Sequence, residues 1–359
     1  MIKIYQNYLI KLFLKKILLI SGLFLSLIFI LSIFDEISYF KNLNVSIFFP
    51  FLMTILSSPA TLFEIFPFIF LISTQFFFLE LIDKNELEML KVNGLNNFKI
   101  LKIILLTSVT VGALIILIFY HFSSKLQFTY FKLKNSYTND NKYLAVVTQN
   151  GLWIKDEVDK KKYIISAEKI ENDFLKDVLI SEFNEEYKLI QTIESSKVDI
   201  SNTNWVIFKP IITQKNLSNT LDQNMLFLTH FDRNKINSMF RNLSSLNFFE
   251  LSKLVKDYQE LGYSTFEINS HLYKLYAFPI YIAIMSIFSG IIMLNIKRNK
   301  PMIFHVISGI LLSVLIYYFN YLFILLGQNQ KIPLLSSIWL PLFMLMIFIL
   351  IGLVRVNEK

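Results

Sequence analysis

ELIDKNELEMLKVNGLNNFK, residues 80–99, is a charged stretch held between two long apolar runs, and the rest of the chain is arranged around it. Asp83 followed three residues later by Glu86 predicts a capping-box-like helix start, in which a side-chain oxygen accepts from the free N–H groups of the first turn. Gly94 predicts the stop, because glycine enters the left-handed conformation of a helix end without steric cost. Between them Leu87 and Leu90 share one face, and Glu88 and Lys91 are spaced to pair on another. The stretch reads as a cytoplasmic coupling helix, over about residues 83–95, able to dock on a partner. It also fits a solvated loop between two spans in which Glu86 only caps.

The composition sets the class. With 359 residues, 54% of them hydrophobic, and a mean hydropathy of +0.51, the chain is a polytopic membrane protein and not a soluble domain. There is no cysteine, which excludes disulfides, thiol nucleophiles and cysteine metal sites. The net charge of +8 would suggest nucleic acid for a soluble protein. Here the placement of the lysines relative to the spans carries the meaning, and no nucleic-acid partner is expected.

Lys3, Lys11, Lys15 and Lys16 precede an uncharged run from Ile17 to Phe34, too long for a cleaved signal and followed by no small-residue cleavage site. A second span is expected from Thr61 to Ile82, after a break at Pro59 and with a kink at Pro67, and a third from Ile100 to Phe122. From Ser123 to about Phe266 the chain turns polar. Short β-branched runs such as LAVVT, GLWIK, KYIISAEKI, VLISEF and NWVIFKPIIT predict an inserted all-β domain. Its last portion, residues 247–263, switches to helical spacing, with Phe248, Leu251, Leu254, Val255 and Tyr258 on one side. Three more spans are expected at about 271–295, 301–326 and 334–354. The fold expected is thus six transmembrane helices with a β domain between the third and fourth, dividing the chain into 1–122, 123–266 and 267–359.

Orientation follows from the basic residues of the short loops. The N-terminal segment, the 83–102 stretch, the KRNK turn at 297–300 and the C-terminal tail hold most of them, against only Lys41 and Lys331 in the other two loops. Both termini are therefore expected in the cytosol and the β domain outside.

No stretch fits the phosphate loop of a nucleotide-binding site, so the energy for any work the chain does comes from elsewhere. His121, His230, His271 and His305 are too scattered for a metal pair, and no cofactor is expected. Asp35 and Glu36, adjacent at the outer end of the first span, are the candidate catalytic carboxylates of an alternative: a polytopic glycosyltransferase using a lipid-linked donor. Lysines at the outer membrane edge are unusual, and Lys41, Lys125, Lys132 and Lys134 stand where they can pair with the phosphates of an amphiphile or snorkel to ordinary anionic lipid.

The chain resembles the LptF/LptG permease family of lipopolysaccharide export. ELEMLKVNG at 86–94 is similar to the family's ELxxLxxxG coupling motif, NGLWIKD at 150–156 looks like the start of its periplasmic β-jellyroll, and residues 251–280 add a third match. GLWIKD and LVKDYQELG look closer to LptG than to LptF. The resemblance implies a non-catalytic permease subunit of an ABC transporter in the inner membrane of a Gram-negative cell. It implies a paralogous LptF-like subunit, an LptB-like ATPase dimer, and periplasmic LptC- and LptA-like jellyroll proteins as partners. Glu86, Leu87, Leu90 and Gly94 would meet the ATPase. Lys41, Lys132 and Lys134 would contact lipopolysaccharide phosphates, and Phe24, Phe29, Ile316 and Phe319 would line the gate between the first and fifth spans. A mechanotransmitting ABC subunit, which moves no lipid across the gate, is the other alternative.

Overall fold

A computed structural model describes residues 4–357 apart from 42, 44, 138–151, 159–160, 172, 215–216, 234, 237–241, 261–262 and 296–300. The expected strand LAVVT, the opening residues of NGLWIKD and the KRNK turn lie outside the described residues. The chain divides into two compact units, Met1–Gln127 with Phe266–Lys359, and Phe128–Thr265.

Among the described residues, six helices are long and apolar enough to cross a membrane. They are α1 (Ile4–Phe40), α2 (Phe48–Asp83), a continuous third rod, α7 (Phe266–Leu294), α8 (Met302–Gln328) and α9 (Leu334–Asn357). The third rod consists of α4 (Asn97–Leu114), a π-helical turn at Ile115–Tyr120 and α5 (His121–Tyr137). Two helix ends differ from expectation. α2 starts at Phe48 and runs through both Pro59 and Pro67. In apolar surroundings a helix is the only open-ended way to satisfy backbone groups, so a proline is absorbed and does not end it. Nearby hydroxyls bond backward, Thr54 to the Pro50 carbonyl at 2.9 Å and Ser58 to that of Thr54 at 2.5 Å. The third rod, for its part, does not stop at Phe122. Ser123, Ser124, Tyr130, Phe131 and Lys134 are all buried at helical spacing, so the helical period persists through the change in polarity.

α2 and α7 form the centre of the helical unit, with 67% of their most apolar stretch buried against 17% for α1 and α8. Phe70, Phe77 and Phe78 of α2 are fully buried, and Phe13 of α1 meets Phe70 and Phe77 edge-on at 6.3 and 5.7 Å. Small residues bring the backbones together where helices cross. The Ser108 and Ser286 hydroxyls bond at 2.9 Å, and Ser289 donates to the Leu71 carbonyl at 2.8 Å.

The described residues of the second unit form an eight-stranded antiparallel sheet, ordered β1 (Leu152–Val158), β2 (Lys161–Glu171), β3 (Phe174–Phe183), β4 (Leu189–Asp199), β5 (Asn204–Phe208), β8 (Met225–Leu228). β6 (Ile211–Gln214) pairs with β4 beside β5 and carries β7 (Leu217–Thr220). Alternation decides the inner face. Leu152 and Ile154 of β1, Ile165 of β2, Ile180 of β3, Ile193 of β4 and Trp205 of β5 are at most 1% exposed. The sheet curls until its two ends meet through side chains, Tyr163 of β2 touching Phe227 of β8 edge-on at 5.0 Å. The amphipathic helix α6 (Phe248–Glu260) follows and buries Leu251 and Leu254. A reciprocal capping box starts it: Asn247 Oδ1 accepts from the Glu250 N–H at 3.0 Å, and Glu250 Oε2 from the Asn247 N–H at 2.9 Å.

Candidate functional site

The charged stretch folds into a seven-residue helix, α3 (Glu86–Val92), between α2 and α4. Its start corrects the expectation. Asp83 is the last residue of α2 and caps nothing, because the apolar run before it carries the helix that far; Asn85, in the left-handed conformation at φ 57°, makes the turn instead. Its end is as expected, with Gly94 at φ +84° and the Leu95 N–H bonded to the Leu90 carbonyl at 3.0 Å. Asn96 then caps α4, accepting from the Lys99 N–H at 3.0 Å.

Leu87 is buried and Leu90 half-buried, both against the core of the chain's own bundle. They anchor the helix. What α3 and the start of α4 offer outward is Met89 at 63% exposure, Val92 at 87% and Phe98 at 49%. Glu88 and Lys91 are exposed, and among the described residues no ion pair joins them. Glu86 does not cap its helix; its Oε2 accepts from the Tyr8 hydroxyl of α1 at 2.5 Å. Glu80, just upstream, receives Lys16 at 2.5 Å and Lys84 at 2.6 Å, and its hydrogen bond, with its charge, holds the Lys84 ammonium above the ordinary lysine range. On the other side, buried Asn97 donates to the Val356 carbonyl at 3.0 Å, which ties α4 to the end of α9. No periodicity announces the Tyr8–Glu86, Lys16–Glu80 and Asn97–Val356 ties, since each joins residues far apart in sequence.

Lys41 is exposed at the end of α1, and Lys132 is exposed on α5. Lys134 is buried, its ammonium donating to the Tyr130 hydroxyl at 2.6 Å. Phe24 and Phe29 of α1 pack edge-on against Phe68 and Phe51 of α2, at 5.7 and 5.0 Å, and Ile316 is buried. Phe319 is 39% exposed beside Phe323. The uncovered apolar stripes of these helices are instead Leu23, Leu27, Ile30 and Phe34 on α1, and Ile307, Leu311, Leu315 and Leu322 on α8. Asp35 is exposed while Glu36 is buried. Neighbours on a helix project about 100° apart, so the two carboxylates do not converge on one substrate.

A polar cluster that the sequence did not announce lies near the other end of the spans. The Tyr120 hydroxyl, closing the π-helical turn, is 2.9 Å from His271 Nε2 on α7, and Glu64 of α2 and Lys274 of α7 interact electrostatically beside it. Glu64 stands about 28 Å along the helix from Asp83, close to one bilayer thickness. The signal available was Lys274 interrupting the apolar run one turn after His271.

No curated protein sequence matches the chain. The family model of the lipopolysaccharide export system permease LptF/LptG does, over residues 7–355. That match takes in all six long helices and the sheet between them, and the chain belongs to the LptF/LptG family of lipopolysaccharide export permeases.

Proposed function

We propose that this chain is one permease subunit of an ATP-driven exporter that extracts lipopolysaccharide from the inner membrane. The observation that carries this is the family match over residues 7–355, joined to a short helix presented between two spans. A paralogous subunit would complete the transmembrane cavity, and an LptB-like ATPase dimer would dock on α3. Met89, Val92 and Phe98 supply apolar contact there and Glu86 a carboxylate, on an anchor formed by Leu87 and Leu90. The termini and α3 would lie in the cytosol and the β unit in the periplasm, as the basic loops favour. The uncovered apolar stripes of α1 and α8 suit a gate that acyl chains pass, with Lys41 and Lys132 meeting phosphates. Sheet edges of LptC- and LptA-like proteins would continue the path beyond the β unit. The chain's own role is binding and movement; hydrolysis belongs to the partner.

The test is extraction of the tagged chain from its own membrane in mild detergent, followed by mass spectrometry of what accompanies it. The expected companions are a paralogous six-span protein, a soluble ABC ATPase and lipopolysaccharide. A chain that emerges alone, and whose Glu86→Lys variant leaves export unchanged, overturns the proposal.

A further inference from the structure

We propose that Tyr8 is a positioning residue that makes α1 follow the coupling helix, so that movement of α3 reaches the far half of α1 directly. This rests on the function proposed above. The Tyr8 hydroxyl donates to Glu86 Oε2 at 2.5 Å across 78 positions of sequence. Further along α1, the Lys16 ammonium meets Glu80 at 2.5 Å, and Lys84 takes the other oxygen of that carboxylate at 2.6 Å. Between these two ties Leu9, Leu12 and Phe13 are buried, with the Phe13 ring edge-on to Phe70 and Phe77 of α2. The first half of α1 is therefore held to α2 and α3 by apolar packing flanked at both ends by charged hydrogen bonds.

Beyond Ile20 one face of α1 opens: Leu23, Leu25, Leu27, Ile30 and Leu31 are exposed, while buried Ile28 and the Phe24–Phe68 and Phe29–Phe51 ring pairs keep the opposite face on α2. A helix transmits displacement along its axis because its hydrogen bonds all lie within it. Burial of Leu87 keeps α3 from rolling in place, and displacement of its carboxylate pulls on Tyr8. A carboxylate has about four acceptor sites, so accepting from Tyr8 leaves room for a basic group of the ATPase on the same Glu86. Docking and transmission then share one side chain.

The experiment uses the assembled complex in proteoliposomes and reads lipopolysaccharide exported per ATP hydrolysed. Tyr8→Phe is expected to lower that ratio about tenfold, the factor a hydrogen bond to a charged group contributes. Tyr8→Lys, of similar reach and with a donor at its tip, is expected to recover most of the loss. Export per ATP unchanged in Tyr8→Phe, or equally reduced in both variants, overturns the proposal. A second measurement needs no transport. In the isolated chain, Tyr8→Phe, Glu86→Leu and the double variant form a thermal-unfolding cycle, expected to be non-additive because the two side chains touch. Additive shifts overturn the bond itself. A wild-type complex that exports no lipid sinks the proposed function, while the cycle still decides whether Tyr8 holds Glu86.

Discussion

Asp156, on the inner face of β1, accepts a hydrogen bond of 2.5 Å from the hydroxyl of Thr229, which lies just beyond β8. The same carboxylate takes the His230 N–H at 3.0 Å and His230 Nδ1 at 2.9 Å. One buried side chain thereby ties the first strand to the residue just past the last strand of the curled sheet, where among the described residues no ladder joins those two strands. Beside it, Trp205 Nε1 donates to the Phe231 carbonyl at 2.7 Å and holds the same segment from below.

Asp156→Ala is expected to cost about 1–3 kcal/mol, because it leaves the buried Thr229 hydroxyl without its acceptor and removes the bond to the His230 N–H. Hydrogen exchange on the intact chain should show faster exchange at residues 152–158 and 225–231, with the transmembrane helices unaffected. Equal protection in variant and wild type would show that the bridge contributes nothing.

Gly112 on α4 packs on Pro279 of α7 so closely that an added Cβ would sit 2.9 Å from the proline Cα and 2.8 Å from Ile282 Cδ1. Backbone cannot yield as a side chain can, so Gly112→Ala should destabilise the helical unit by about 1–3 kcal/mol. Gly22→Ala, where nothing lies within 4 Å, should instead stabilise it by up to about 1 kcal/mol, the helix-propensity difference. Melting temperatures of the two variants in one detergent, moving in opposite directions, are the expected result.

Val92 and Leu87 lie on the same short helix and should fail in different ways. Val92→Glu changes a side chain that is 87% exposed, so the fold should hold while recovery of the ATPase on the tagged chain falls about tenfold or more. Leu87→Ala opens a buried position and should cost about 2–4 kcal/mol of stability. Co-purification alongside a melting curve separates the two losses. An intact ATPase complex with Val92→Glu would move the docking surface elsewhere.

The absence of native cysteine makes orientation directly measurable, because any introduced thiol is the only one. In spheroplasts, a membrane-impermeant maleimide is expected to label Leu221→Cys on the β unit at once, and Asn93→Cys beside α3 only after permeabilisation. The reverse pattern would invert the assignment drawn from the basic loops.

Much of this protein was determined by local pattern. Six apolar runs are long enough to span a bilayer whatever surrounds them, and six long helices result. The β-branched runs from GLWIK onward became strands, the 247–263 periodicity became α6, and Gly94 took the left-handed stop. Each of these depends on the character of neighbouring residues. What only the tertiary structure decided depends on distant ones. α2 passes Pro59 because apolar surroundings offer the backbone no other partner, and the third rod continues past Phe122 because a packed face persists under a polar composition. Leu87 turned inward and Val92 outward because the bundle covers one side of α3, while Lys134 found Tyr130. Tyr8 met Glu86, and Asp156 met Thr229, across 78 and 73 positions. Hydropathy and period record which side chains avoid water; which of them touch is set by how the helices and strands pack, and the ties that couple one part of the chain to another arise there.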